Sequence, residues 1–380
     1  MSHDMSDPAF DPVLSGASWE QFCDTLKRAG QQILRPEAPA DALTRAEGWR
    51  YLSRLARVAL EMHVEYADAR WPGFIQPSHE TVKMGADNPD NLYLSARIDG
   101  HFDYRVSGTR GMAPVLNFAT KSGGYANRDG RMDGSGHLDA KDMHFEADGR
   151  FELILSQTPQ PGNWLRMTAD TNQLLVRQTF LDRSREQAAQ LKIERIYDPA
   201  TPLQPPPLDP ATLHENLQRA AGFVENTARL FADWAQLFQA QPPNTLPPLD
   251  QAMFQAAGGD PNIHYCHGYW QLAPDEALIV EVEQLPECDF WNFQVDNYWM
   301  ESLDYRYHRI HHNPHSAQRN ATGGVTLIIA HTAPGDPGHL NWLTTAGHAV
   351  GTMCWRWIGA KTPVQPVTRV VKRAELTRTG

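Results

Sequence analysis

Apolar residues recur at three- and four-residue spacing from about Trp19 to Ala67, which predicts two amphipathic helices. Phe22, Leu26, Ala29, Ile33 and Leu34 line the first, and Trp49, Leu52, Leu55, Ala56, Ala59 and Leu60 line the second. Pro36 and Pro39 separate them. After Trp71-Pro72-Gly73 the period falls to two. Asn91 to Ile98 and Phe102 to Val106 alternate as strands around an Asp99-Gly100 turn. Strands are then expected at Pro114 to Thr120, Phe145 to Leu155, Leu174 to Phe180 and Ala189 to Ile196, with a Gly-rich loop from Ser122 to Gly136. Helical spacing returns from Ala211 to Gln241, where Leu213, Leu217, Phe223, Phe231 and Trp234 share a broad apolar face. Pro-rich connectors, Pro199 to Pro210 and Pro242 to Pro248, bracket this helix. The strand period resumes at His264 to Trp270, Ala277 to Val282, Trp291 to Trp299, Val325 to Ala330, Met353 to Ile358 and Thr368 to Lys372.

This order predicts an α+β chain in which two sequence blocks build one β-rich body, a sandwich or barrel. The expected segments are an N-terminal helical layer over 1–70, a first β-rich block over 71–198, connectors with an inserted helix over 199–260, and a second β-rich block over 261–380. No internal repeat is visible.

Composition narrows the function classes. With 41% hydrophobic residues the chain can bury a large core. A formal net charge of −11 argues against nucleic-acid partners and against an anionic membrane surface. The first dozen residues have no basic and no apolar segment of the kind a signal peptide needs. The apolar runs are strand-sized, and Cys23, Cys266, Cys288 and Cys354 are scattered. A reduced, cytoplasmic protein is therefore expected.

The richest candidate chemistry is C-terminal. Ala346 and Gly347 leave room around His348, and the following strand sets Cys354 and Arg356 on one face and Trp355 and Trp357 on the other. In Phe290 to Trp299, Trp291, Phe293, Val295, Asn297 and Trp299 share one face; Asn292, Gln294, Asp296 and Tyr298 share the other. Amides both donate and accept, so such a face suits a hydroxylated ligand; the alternative is a solvated outer sheet face. Asp304 can orient His348 as a carboxylate orients a general base, or it can pair with Arg306 or Arg309. Asn91 and Tyr93 point the same way at a strand entrance after the polar turn Asn88-Pro89-Asp90, where they can hold a ligand's polar group. Arg166 and Arg177, in β segments, are edge charges, ion-pair partners of Asp182 or Glu186, or contacts for a ligand carboxylate or phosphate. His308, His311, His312 and His315 would share a helix face, but Asn313-Pro314 breaks the helix and no carboxylate lies within the cluster, so no metal is assigned. No dinucleotide, P-loop, nucleophile-elbow or HExxH motif is present, and no cofactor is expected.

Three stretches carry a resemblance: Ser78-x-Glu80-x-x-Lys83-Met84-Gly85-Ala86-Asp87-Asn88-Pro89-Asp90-Asn91-x-Tyr93; Trp291-Asn292-x-Gln294-x-x-Asn297-x-Trp299-x-x-Ser302-Leu303-Asp304; and Asn341-Trp342-Leu343-x-Thr345-x-Gly347-His348. The chain resembles a bacterial family named domain of unknown function 1214. The resemblance implies a mainly antiparallel, jelly-roll-like β-sandwich with attached helices, and it sharpens fold more than activity.

The combined expectation is an enzyme performing cofactor-independent hydrolysis or elimination on a small or medium, partly apolar, hydroxylated substrate. His348 would be its acid or base, Asp304 the orienter and Arg356 the anion anchor. Asn91, Tyr93, Trp291, Gln294, Asn297, Trp342 and Trp355 would contact the ligand. The alternative is a β-sandwich that binds a carbohydrate or other small molecule without chemistry.

Overall fold

The computed structural model describes residues 11–197, 204–334 and 341–376. The polar opening over residues 1–10 and part of the first Pro-rich connector lie outside these. Helices α1 (Asp11–Leu14), α2 (Ala17–Ile33) and α3 (Ala42–Leu60) come first, and a π-helical turn, Glu61–Glu65, continues α3. Strands β1 (Asn91–Arg97), β2 (Tyr104–Thr109), β3 (Val115–Gly123), β4 (Met132–Asp139), β5 (Arg150–Ser156), β6 (Trp164–Arg166), β7 (Thr171–Thr179) and β8 (Gln190–Arg195) follow. After α4 (Pro210–Gln239) and α5 (Gln251–Ala256) come β9 (Ile263–Gln271), β10 (Glu276–Val282), β11 (Phe290–Val295), β12 (His311–His312), β13 (Val325–Ala330), β14 (Asn341–Thr344), β15 (Val350–Ile358) and β16 (Val367–Lys372), then α6 (Arg373–Leu376). The fold is mixed α+β with four antiparallel-rich sheets. Among the described residues, no helix is long and apolar enough to cross a membrane.

The chain divides into two compact units. The first comprises residues 1–32, 52–77 and 91–229; the second comprises 33–51, 78–90 and 230–380. In the first, sheets β1-β7-β3-β4 and β6-β5-β2-β8 send alternate residues into one core that includes Ala96, Tyr104, Phe118, Leu153, Val176 and Ile193. In the second, sheets β14-β13-β10-β16 and β12-β11-β15-β9 share a core of Trp270, Val280, Phe293, Leu327, Leu343 and Trp355. The sequence reading treats both β-rich blocks as one body. Each block instead has its own core, because each supplies both facing sheets.

The Gly-rich loop conceals β4. Glycine is tolerated there because of close approach: a Cβ on Gly136 would lie 2.4 Å from the Arg166 carbonyl oxygen. The alternation expected from Trp291 to Trp299 stops at Val295. Beyond it Asn297 Oδ1 accepts from the Trp299 and Glu301 amides, at 2.9 and 3.1 Å, closing a turn in which Met300 has φ +55°.

Candidate functional site

His348 sits in the tight turn between β14 and β15, which Ala346 (φ +47°) and Gly347 (φ +89°) shape. Its Nδ1 donates to the Thr345 carbonyl oxygen at 2.9 Å, and its Nε2 lies 2.7 Å from Glu47 Oε2. Both ring nitrogens therefore face acceptors. Only an imidazolium with a carboxylate, or a neutral ring with a carboxylic acid, satisfies that geometry. Burial pulls the His348 pKa down, but hydrogen bonding and the charge of Glu47 outweigh it and raise the pKa above 6.5. For Glu47, burial pushes up, while His348, Asn297 and Arg50 hold the carboxyl below its ordinary range. Glu47 Oε1 accepts from Arg50 at 2.7 Å, and Asn297 Nδ2 donates to Glu47 Oε2 (2.7 Å) and to Glu301 Oε2 (2.9 Å). The pair is an imidazolium–carboxylate clamp.

Asp304 is not the orienter. Its carboxylate accepts from Arg306 Nε and Nη2 at 2.9 and 2.7 Å, and that hydrogen bonding lowers its pKa to about 2. The alternative partner named from sequence, Arg306, holds it. Glu47 takes the position expected of Asp304.

β11 and β15 pair with Asn292 opposite Arg356 and Gln294 opposite Cys354. On the other face Trp291 and Trp355 stack at 5.0 Å within the core, both shielded. The polar face is not solvated: Asn292, Gln294 and Asp296 are fully buried. Residues 78–90 cover it. Gln294 Nε2 donates to the Asp87 carbonyl oxygen (2.9 Å) and to Asp296, and Gln294 Oε1 accepts from Arg356. Arg356 also donates to the Ala86 carbonyl oxygen. Asp87 accepts from the Ser302 amide and hydroxyl at 2.9 and 2.8 Å. Lys83, 1% exposed, donates to the Ser302 and Leu303 carbonyl oxygens at 2.6 and 2.9 Å and lies 4.5 Å from the centre of the Tyr305 ring. Asp296 makes no ion pair among the described residues, and burial pushes its pKa up to about 8. The Gln294 amide and the Arg356 guanidinium thus hold the interior together, where the sequence expectation had them touching a ligand.

At the edge of the same sheet β12 pairs with β11. Asp90, on the covering segment, accepts from Asn292 Nδ2 and Asn313 Nδ2, both at 2.9 Å, and lies 3.1 Å from His311 Nε2. The His311 ring is 24% exposed, but its Nδ1 is shielded and has no hydrogen-bond partner among the described residues. The neighbouring His312 turns the other way along the strand; burial lowers its pKa to about 3. His308 and His315 are exposed. The four histidines do not share a helix face, and among the described residues no group of three or more His, Cys, Asp or Glu side chains is placed to hold a metal ion.

The remaining candidates are scattered. Trp342 is half-buried and donates to the Ala330 carbonyl oxygen at 3.2 Å. Asn91 and Tyr93 belong to β1 of the first unit, where Tyr93 pairs with Arg177. Cys354 Sγ lies 3.5 Å from His267 Nε2, but burial pushes the thiol up to about 12 and holds His267 neutral, so the pair is inert as a nucleophile. Sequence reasoning missed Glu47, Glu301 and the Asp90–His311 pairing. The polar turn ending in Asp90 carried a signal; Glu47 lay unmarked in a helical stripe.

The profile of a family described as "Protein of unknown function (DUF1214)" matches residues 272–362. A solved structure of an uncharacterized protein from Burkholderia cenocepacia is 60% identical, with a TM-score of 0.92, covering 96% of this chain and 99% of that one. A solved structure of a protein from Vibrio parahaemolyticus is 11% identical, with a TM-score of 0.50, covering 92% and 100%. That second likeness speaks to fold alone. No curated protein matches the chain.

Proposed function

The chain belongs to the DUF1214 family, and we propose that it is a cytoplasmic enzyme that hydrolyses or eliminates from a small or medium hydroxylated substrate by acid/base chemistry. His311 is the catalytic acid or base, and Asp90 is its positioning residue. One observation carries this reading: His311 Nε2 is held by Asp90 while Nδ1 has no partner among the described residues. With Nε2–H donating to the anchored carboxylate, Nδ1 carries the lone pair that accepts a proton. His348, in contrast, has both nitrogens engaged and serves the architecture. Because Nδ1 is shielded in the free protein, substrate must displace its cover. The fold reading extends in the same way: the two sheets of the second unit, facing one core, form a jelly-roll-like sandwich.

The test is incubation of the protein and its His311→Asn variant with a metabolite extract, followed by untargeted mass spectrometry. Wild type should consume a compound, and the folded variant should do so roughly 100-fold more slowly or worse, the usual range for a lost acid or base. Consumption at an unchanged rate by folded variant would sink the assignment of His311. A sugar or other small molecule retained by the protein and recovered unaltered would replace the enzyme with a binding protein.

A further inference from the structure

The first unit contains a second polar set, and it does not rest on the Asp90–His311 reading. His63 lies in the π-helical turn Glu61–Glu65, Arg97 ends β1, and Arg219 is on α4. Single π turns are rare and recur at functional sites. The His63 ring lies 5.5 Å from that of Phe223, and Phe223 follows Arg219 by four residues, one turn along the same face of α4. Tyr125 also approaches Phe223, at 6.4 Å. On β1, Leu94 and Ala96 face the core, so Arg97 projects from the opposite face with Ser95. The three basic side chains are close enough to act on one another: both arginines bear on His63, and Arg219 bears on Arg97. Burial, reinforced by the two guanidinium charges, lowers the His63 pKa to about 3. Its Nε2 is shielded and has no hydrogen-bond partner among the described residues.

What this set lacks, among the described residues, is a paired anion. Among the described residues neither the Arg97 nor the Arg219 side chain makes an ion pair or hydrogen bond. The carboxylate that bears on Arg97 is Asp99, and its Oδ1 accepts from the His101 amide and ring at 2.9 and 2.8 Å. Folding has brought like charges together and partly out of water, and among the described residues the one carboxylate acting on them, Asp99, is engaged by His101, an arrangement that costs stability in the free protein. Guanidinium groups only donate, and in fork geometry they match carboxylate and phosphate oxygens.

We propose that His63, Arg97 and Arg219 bind the oxyanion group, carboxylate or phosphate, of a small organic ligand, with the Phe223 and Tyr125 rings beside its carbon skeleton. The arginines donate to the oxygens, and a neutral His63 contributes its Nε2–H.

The proposal is tested by thermal unfolding of the full chain, its Arg97→Gln variant and its Arg219→Gln variant. Sodium phosphate and sodium malonate are titrated against sodium chloride of equal ionic strength. Wild type should gain Tm with phosphate, with malonate or with both, beyond the chloride control, and which of them acts identifies the oxyanion. Each variant should lose that gain. Without added anion, Arg219→Gln should melt at or above the wild-type temperature, because it relieves repulsion; an arginine with a purely structural role would lower it. Arg219 is on a half-exposed helix face, so this variant decides the matter if Arg97→Gln fails to fold. No anion-specific gain in wild type, or an undiminished gain in Arg219→Gln, overturns the proposal.

Discussion

At the scale of single residues, the His348–Glu47 clamp makes stability depend on pH in a defined direction. The His348 pKa is raised from 6.5, so its contribution is complete below that value and is lost as pH rises through the folded pKa. The Glu47 pKa is lowered from 4.5, so its contribution is complete above that value and is lost as pH falls through the folded pKa. Both are complete between about pH 4.5 and 6.5. Glu47→Gln should therefore cost on the order of 3 kcal/mol near pH 6, as expected when one member of a buried pair is removed, and less near pH 9. Urea unfolding at the two pH values measures this. A cost that grows toward pH 9 would contradict the imidazolium, and an equal cost would mean that the ring keeps one charge state across the interval. The clamp was only half legible in the sequence. His348 stood out because Ala346 and Gly347 frame it, but nothing in a helical stripe marks which polar residue turns inward. Glu47 does so because α3 packs closely at its neighbour: a Cβ on Gly48 would lie 2.6 Å from Ile33 and 2.9 Å from Trp299.

At the scale of elements, β11 and β15 are buried on both faces, one by aromatic residues and one by a polar network. Period two correctly separates Trp291 and Phe293 from Asn292 and Gln294, because it depends only on the pleat. Whether the polar face meets water depends on a covering segment about two hundred residues earlier, and alternation contains no trace of it. The resemblance motifs came closer. Lys83, Asp87, Asn88 and Asp90 from one motif meet Asn292, Gln294 and Ser302 from another. Asp296 supplies the test of this arrangement. With its pKa raised from 3.8 to about 8, the folded chain keeps a proton that the unfolded chain releases. Stability therefore falls as pH rises through that window and levels off above it. Asparagine is neutral in both states, so Asp296→Asn should gain on wild type as pH is raised from 5 to 8.5. Calorimetric melting temperatures at the two pH values would expose the opposite case: a variant weakened most at pH 8.5 would mean an ionised Asp296 stabilised by the field of Arg356.

At the scale of the whole molecule, sequence order and compact unit do not coincide. The helix–strand–helix–strand order was legible, since periodicity changes sharply at Gly73 and at the Pro-rich connectors. The assembly of the second unit from three separate stretches was not, because it depends on which buried polar groups find partners. The family profile spans 272–362, yet within that span His348 relies on Glu47, Gln294 on Asp87, Asn292 on Asp90 and Arg356 on Ala86. Unsatisfied, each buried polar group costs about 1–3 kcal/mol and a charged one more, so four together rival the 5–15 kcal/mol that usually holds a domain folded. A fragment of residues 230–380 retains both facing sheets and the tryptophan core, and apolar burial alone would let it fold. The polar ledger predicts otherwise. The fragment should collapse without fixed packing, binding a hydrophobic dye and melting without a cooperative transition, and a peptide of residues 33–90 added in trans should restore near-ultraviolet circular dichroism. A fragment that melts cooperatively by itself would mean that residues 33–51 and 78–90 decorate a self-sufficient sandwich, and that the network they complete is kept for its chemistry and not for the fold.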